Sequence, residues 1–336
     1  MQKIKVLVID DSMLFREALT RGLESDAAIK VVAKANDPYD AIGKIELFDP
    51  DVITCDVQMP KMDGIEFIRQ LLPQHKVPVI VVSAIDYAVF DAMRVGAVDF
   101  VTKPDTNAGI SHRQFIDEVI KKVKEASQAS VHTYKDPSPN AVDHVVSKDI
   151  NVIAIGASTG GTEAIYHILK GLPKNSPGIV VVQHIPPAFS TMFALRLDKN
   201  THFNVKEAKT GDLVLPGMVL VAPGDQHLEL TDISGSLRVK LKKGPKVSGH
   251  CPSVDVLFDS VAKVCKKKAI GVILTGMGYD GAKGLLRMKR YGAVTIGQNS
   301  ESSVVYGMPK AAFEVGAVTK QASLELIAHT IIKYLK

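Results

Sequence analysis

Two α/β domains in tandem, each built on a parallel or mostly parallel sheet, are the fold class this 336-residue sequence predicts. Three observations carry that reading. From residue 1 to about 125, short β-branched runs alternate with stretches of helical period. Residues 127 to 149 then show no sustained apolar period and contain Pro137 and Pro139. At Asn151 the alternation begins again. The expected division is 1–125, a linker at 126–149, and 150–336, which suits domains of roughly 100–200 residues that each bury their own core.

In the first domain the strand candidates are Lys5 to Ile9, Val31 to Ala35, Val52 to Cys55, Pro78 to Val82 and Phe100 to Val101, with helical periodicity in each interval and a lysine-rich helix ending near Ala126. Five such units with short connections imply a five-stranded parallel (βα)5 sheet covered by helices on both faces, with ligands beyond the carboxyl ends of the strands. The second domain opens with the strand NVIAIG at Asn151. It continues through GIVVVQH, ending at His184, and AIGVILTG, starting at Ala269, and closes in a helix from about Ala322 to Leu335. That order implies a doubly wound α/β domain.

Bulk properties exclude several classes. A net charge of +5 is modest for this length, and the lysine clusters around Lys121, Lys242 and Lys266 lack interleaved aromatics, so they read as solvated surface and no nucleic-acid binding is expected. Cys55, Cys251 and Cys265 lie too far apart to suggest a disulfide framework or a metal cage, which fits a reducing cytoplasm. The N-terminus leads straight into a strand, and no run of about eighteen apolar residues follows, so neither a leader nor an integral membrane segment is expected.

The first domain places Asp10 and Asp11 at the end of strand 1, Asp56 at the end of strand 3, Ser83 at the end of strand 4 and Lys103 after strand 5. Three carboxylates around one point form a hard oxygen site suited to Mg²⁺. Asp56 can then attack a phosphoryl group, with the Lys103 ammonium and the Ser83 hydroxyl on the phosphoryl oxygens. Singly, each residue has a plainer use: Asp11 or Ser12 as a helix cap, Asp56 as the start of a turn, Lys103 as a loop lysine. Together, on one sheet edge, they point to phosphoryl transfer.

The segments VLVIDDS, DVQMPKMDG, VVSA and DFVTKP resemble the motifs of the response-regulator receiver family over about residues 1–125, a flavodoxin-like fold. The resemblance implies Asp56 as phosphoacceptor, Mg²⁺ held by Asp11, Asp56 and the Gln58 backbone carbonyl with Asp10 assisting, Ser83 and Lys103 as phosphate-sensing residues, and Phe100 as an aromatic switch. Serine stands at 83 where threonine is commoner in that family.

In the second domain, Ile155 to Gly161 (IGASTGG) runs from a strand into a glycine-rich turn and contains Gly-x-Ser-x-Gly around Ser158. Such a turn exposes a serine near backbone N–H groups and a helix N-terminus. It also suits a phosphate-cradling loop, although no Walker-type Gly-Lys-Ser and no G-x-G-x-x-G is present. His184 follows the next strand, and Asp280 follows AIGVIL in another glycine-rich turn. The roles that suit them are nucleophile Ser158, base His184 and orienting carboxylate Asp280. The plainer alternatives are a satisfied histidine and a helix N-cap, with His227 and His250 as rival bases.

IGASTGG, VVVQHIP, APGDQH, HCPSVDVLF, TGMGYDGAKG and VYGMPKAA together resemble the catalytic domain of the chemotaxis protein-glutamate methylesterases over about residues 150–336. The resemblance implies a triad of Ser158, His184 and Asp280, with Thr159 and Met277 near the serine or its oxyanion region. It implies no cofactor for the esterase, and deamidation of receptor glutamines in many members. The expected partners are methyl-accepting chemoreceptors as substrate and a histidine kinase as phosphodonor, and the tandem layout suggests that the receiver controls access to Ser158. The alternative is a response regulator with a non-catalytic binding output.

Overall fold

The β-branched runs of the N-terminal half form five strands, and side-chain caps set where the helices between them begin. A computed structural model describes residues 2–83, 88–104, 111–131 and 149–336. The chain divides into two compact units, Met1–Tyr134 and Lys135–Lys336. Of the linker expected at 126–149, residues 132–148 lie outside the described residues.

The first unit contains β1 (Ile4–Ile9), α1 (Met13–Glu24), β2 (Ile29–Ala35), α2 (Pro38–Phe48), β3 (Val52–Cys55), α3 (Gly64–Leu71), β4 (Val79–Ser83), α4 (Ala88–Arg94), β5 (Asp99–Thr102) and α5 (His112–Ala126). The strands pair in parallel in the order β2-β1-β3-β4-β5. This is the five-stranded doubly wound order expected for a flavodoxin-like receiver. β3 and β4 are buried along their whole length, which is why they read as unbroken apolar runs rather than alternating ones. Ser12, Asp37, Asp63 and Ser111 accept N–H groups from the first turns of α1, α2, α3 and α5. Gly64 has a specific steric reason: a Cβ there would lie 2.1 Å from the Asp56 carbonyl oxygen.

The second unit contains β6 (Val152–Ala157), α6 (Gly161–Gly171), β7 (Gly178–Gln183), α7 (Pro187–Asn200), β8 (Asn204–Glu207), β9 (Met218–Val221), β10 (His227–Ile233), β11 (Ser236–Lys242), α8 (Val254–Cys265), β12 (Ala269–Ile273), α9 (Ala282–Arg290), β13 (Val294–Gln298), α10 (Met308–Glu314), β14 (Lys320–Ala322) and α11 (Leu324–Leu335). Seven strands pair in parallel in the order β14-β13-β12-β6-β7-β9-β8. The hairpin β10–β11 is antiparallel and forms a sheet of its own. Leu228, Leu230 and Val239 of that hairpin join Leu257, Phe258 and Val261 of α8 in one buried cluster, so the hairpin covers part of the core. The chain winds from β6 toward β7 in one direction and returns through β12 on the other side, so the carboxyl ends of β12, β6 and β7 surround a topological switch point.

All three cysteines are free, and burial pushes the Cys265 thiol up to about 12. Among the described residues, no helix is long and apolar enough to cross a membrane.

Candidate active sites

At the carboxyl edge of the first sheet, the chain delivers Asp10 and Asp11 from β1, Asp56 from β3, Ser83 from β4 and Lys103 from just past β5. The Lys103 Nζ lies 2.7 Å from Asp10 Oδ2 and 2.6 Å from Asp56 Oδ2, bridging the two buried carboxylates. Carboxylate oxygens of Asp10, Asp11 and Asp56 fall within 4.8 Å of one another, an all-oxygen donor set. Asp56 Oδ1 also accepts the Gln58 N–H at 3.2 Å, which folds the β3–α3 loop over the carboxylate.

Burial raises the Asp56 carboxyl above its ordinary value, and the charge of Asp10 adds to this, against the opposing effect of Lys103. For Lys103 burial works downward, but its bonds to Asp10 and Asp56 outweigh it and the ammonium is held charged. Lys103 also rests over the Phe15 ring, 4.5 Å from its centroid. The Ser83 hydroxyl is buried without a hydrogen-bond partner among the described residues, and the segment after it, 84–87, lies outside them. Phe100 is buried on β5 with its ring edge-on to Phe90 at 6.4 Å.

At the carboxyl edge of the second sheet, Ser158 follows β6, while His184 and Asp280 follow β7 and β12, the strands on either side of β6. The β6–β7 register carries Ala157 opposite Gln183, so Ser158 and His184 leave neighbouring strands at the same level. His184 Nε2 is 2.9 Å from Asp280 Oδ2. Because a carboxylate only accepts, that contact places the imidazole proton on Nε2 and the lone pair on Nδ1. Nδ1 is buried with no partner among the described residues.

Asp280 is fully buried, yet three further donors besides His184 satisfy it: Ser253 Oγ at 2.8 Å, the Val254 N–H at 2.8 Å and the Asp255 N–H at 3.0 Å. These are the first groups of α8, so the carboxylate sits on that helix's N-terminus, where its dipole favours negative charge. Burial pushes the Asp280 carboxyl up, but the His184 bond and charge, with the α8 amides, outweigh it and the net direction is down.

Gln183 ties Ser158 to His184, since its Nε2 donates to the carbonyls of Ser158 at 2.8 Å and His184 at 3.3 Å. The Ser158 N–H is committed to the Thr275 carbonyl at 3.0 Å and is not free to meet an oxyanion. Thr159 is buried in the turn leading to α6, its carbonyl accepting Thr275 Oγ1 at 2.9 Å. Met277 is half-buried in the β12–α9 loop, and its N–H has no acceptor among the described residues. The preceding Gly276, at φ +157, lets that loop approach Ser158; a Cβ on it would lie 2.6 Å from the Ser158 Cβ.

The rival bases separate cleanly. His227 is buried with both nitrogens engaged: Nδ1 accepts the Ser253 N–H at 3.2 Å, and Nε2 is 2.9 Å from the Pro245 carbonyl. His250 lies flat against His184, ring centroids 3.7 Å apart and planes 6° from parallel. His184, His250 and Asp280 therefore cluster like metal ligands. The stacking argues otherwise, because ring-nitrogen lone pairs lie in the ring planes, and two parallel rings at this spacing direct them past each other rather than to one ion at ~2 Å.

A family model for the CheB methylesterase matches residues 153–331. This chain belongs to the CheB methylesterase family. Residues 6–114 of this CheB-family chain match the response regulator receiver domain. A protein-glutamate methylesterase/protein-glutamine glutaminase of Syntrophomonas wolfei is 49% identical over 336 residues, covering 100% of this chain and 98% of the relative. One of the same name from Escherichia coli is 43% identical over 339 residues, at 99% and 97% coverage. Among solved structures, the Thermotoga maritima CheB methylesterase catalytic domain is 42% identical with a TM-score of 0.54, covering 55% of this chain and 98% of that one.

Within the CheB-family chain, the sequence reading passed over Phe15, Gln183, Ser253 and the stacking role of His250. The signal for Ser253 was available as an N-cap ahead of the apolar run VDVLF; the others depend on contacts between distant segments.

Proposed function

We propose that the C-terminal unit hydrolyses methyl esters of glutamate side chains on chemoreceptors, and that the N-terminal unit is a receiver whose phosphorylation on Asp56 raises that activity. The observation that carries the esterase is the His184–Asp280 bond of 2.9 Å, one strand end away from Ser158, with a carboxylate fixed by the start of α8.

Ser158 Oγ attacks the ester carbonyl carbon while His184 Nδ1 takes its proton. Asp280 holds the Nε2–H and stabilises the imidazolium that results. The Met277 N–H would meet the oxyanion, with Thr159 beside it, and a single such donor is worth about 10²–10³ in rate. Methanol leaves with the proton returned from Nδ1. Water, deprotonated by the same nitrogen, then cleaves the acyl-enzyme to give glutamate. A glutamine side chain follows the same route with ammonia as leaving group, so deamidation needs no further residue.

On the receiver, Asp11, Asp56 and the Gln58 carbonyl, with Asp10 assisting, are the groups that would hold Mg²⁺. The all-oxygen donor set, with carboxylate oxygens within 4.8 Å of one another, fits a hard divalent cation. When bound, the ion offsets the charge of the carboxylates and of the phosphoryl group. Asp56 is the phosphoacceptor, Lys103 and the Ser83 hydroxyl receive the phosphoryl oxygens, and Phe100 is the aromatic residue coupled to that change. A histidine kinase is the phosphodonor. Control requires only that phosphorylation stabilise one state of the protein over another, and couplings of about 1–3 kcal/mol correspond to roughly 5- to 150-fold activation. A purely binding output domain would leave the Ser158, His184 and Asp280 arrangement without a role.

The test is release of labelled methanol from methylated receptor membranes by wild type and Ser158→Ala, with and without a small phosphodonor and Mg²⁺. Release that disappears in Ser158→Ala and rises with the phosphodonor supports both halves. No release from competent membranes by folded protein sinks the esterase reading.

A further inference from the structure

His184 is held at one end only. Its Nε2 is bonded to Asp280, while its Nδ1 has no partner among the described residues. A ring hydrogen-bonded at a single nitrogen can still pivot about that bond, and pivoting changes where Nδ1 points. The structure supplies a second restraint on the face of the ring, His250, stacked at 3.7 Å and 6°.

His250 is itself built in. Its Nδ1 is 3.0 Å from the Ser248 carbonyl, which fixes the tautomer with the proton on Nδ1. Val247 and His250 exchange backbone hydrogen bonds of 2.9 and 3.0 Å across a two-residue turn. Within that turn Ser248 (φ +51) and Gly249 (φ +86) are both left-handed, a costly geometry for serine. The turn is anchored to α8, since Ser248 Oγ donates to Asp255 Oδ2 at 2.8 Å and Asp255 Oδ1 accepts the Gly284 N–H at 2.7 Å. Directly after the Cys251–Pro252 step, the same segment supplies Ser253, Val254 and Asp255, whose donors hold Asp280. One stretch, Ser248 to Asp255, therefore grips the catalytic imidazole twice: through the carboxylate at its end and through His250 on its face.

We propose that His250 is a positioning residue of the esterase, whose flat ring holds His184 in the plane that aims Nδ1 at Ser158. The proposal rests on the triad reading above. It assigns His250 the work of a planar surface and no proton transfer. Misplacement of a reacting group by about 1 Å can cost 10²-fold, which sets the scale of the effect.

The test uses full-length protein with phosphodonor and Mg²⁺ and three variants, His250→Ala, His250→Leu and His250→Phe. Two readouts are compared: methanol release from methylated receptor membranes, and the rate at which a fluorophosphonate labels Ser158, which reports the nucleophile–base pair without the methyl-ester substrate. His250→Ala and His250→Leu are expected to lose about 10- to 100-fold in kcat and in labelling rate with KM within about twofold, while His250→Phe keeps both rates within about threefold. The pH dependence of His250→Phe should match wild type.

A Phe variant as slow as the Ala variant, with an ionisation missing from its pH profile, would overturn the proposal in favour of a proton-carrying histidine. A rise in KM at constant kcat would overturn it in favour of a substrate contact, and wild-type rates in all three variants would show the stack to be idle. If wild type itself fails to label at Ser158, the triad reading has failed. If wild type labels and the variants do not differ from it, only the positioning role has.

Discussion

The two sheet edges put buried carboxylates to opposite uses. On the receiver edge, Asp56 shares a small space with Asp10 and Asp11, has a single backbone donor, and depends on one bridging lysine; its carboxyl is pushed up, chiefly by burial. On the esterase edge, Asp280 is more deeply buried but receives four hydrogen bonds, three of them from a helix start, and its carboxyl is pulled down despite the burial. Burial alone does not set the state of an acid; the supply of donors does. Under the proposed roles, the acid that would accept a phosphoryl group is left under-satisfied, whereas the one that would stay ionised through a catalytic cycle is saturated.

The sharpest way to separate the edges is Ser158→Ala, expected to lower methanol release by about 10⁴-fold or more while leaving phosphorylation of Asp56, followed with a labelled phosphodonor, unchanged. Next is Asp280→Asn, for which a loss of about 10³- to 10⁴-fold in kcat is expected because the amide cannot hold the same imidazole tautomer. The same substitution tests the electrostatic half of the comparison. A folded-state carboxyl held below its unfolded value contributes stability that is present above the unfolded value and lost as pH falls through the folded one. The thermal stability of the catalytic unit should therefore fall on acidification in wild type, with a smaller slope in Asp280→Asn. Equal slopes would mean that the Asp280 network contributes nothing to folding.

Asp56→Asn has the opposite sign. It should remove the phosphodonor response, roughly 5- to 150-fold, without touching basal hydrolysis. Because the folded carboxyl is raised, its ionised form opposes folding at neutral pH, so the variant should unfold at a higher temperature than wild type at pH 7. That gain should shrink as the pH drops toward the Asp56 value. A lower melting temperature at pH 7 would place Asp56 with Asp280 rather than against it. The smallest effect is expected for Ser253→Ala, about 1 kcal/mol of stability and a few-fold in kcat, since two α8 amides still hold Asp280. Calorimetry and steady-state rates together check both.

Much of this arrangement is visible in the sequence because functional residues interrupt apolar runs. VLVID, VITCD, VIVVS, VIAIGAS and GIVVVQH each end a buried strand on a polar side chain, and parallel sheets collect such ends on one edge. What the sequence hides lies across distance. An aspartate beside a glycine-rich turn suggested a cap on the helix that follows it, and Asp280 does serve a helix start, but that of α8, some 25 residues earlier in the chain. His250 offered no periodic or spacing signal separating it from His227; one turned out to stack on the base and the other to have both nitrogens satisfied within the fold. The hairpin β10–β11 belongs to neither parallel sheet, so the alternation that exposed the other elements did not place it.

The proposed triad of Ser158, His184 and Asp280 draws on three adjacent strands in the spatial order β12-β6-β7, while the chain visits them as β6, β7, β12. Its Ser, His, Asp sequence is therefore a property of the connections, not of the chemistry. A circular permutant opened just after β11, ahead of Ser248, with the original ends of the catalytic unit joined, would encode Asp first, then Ser and His, on the same strand ends. Gene rearrangement can shuffle that order freely, and a search for distant kin keyed to it would miss them, whereas one keyed to neighbouring strand ends would not.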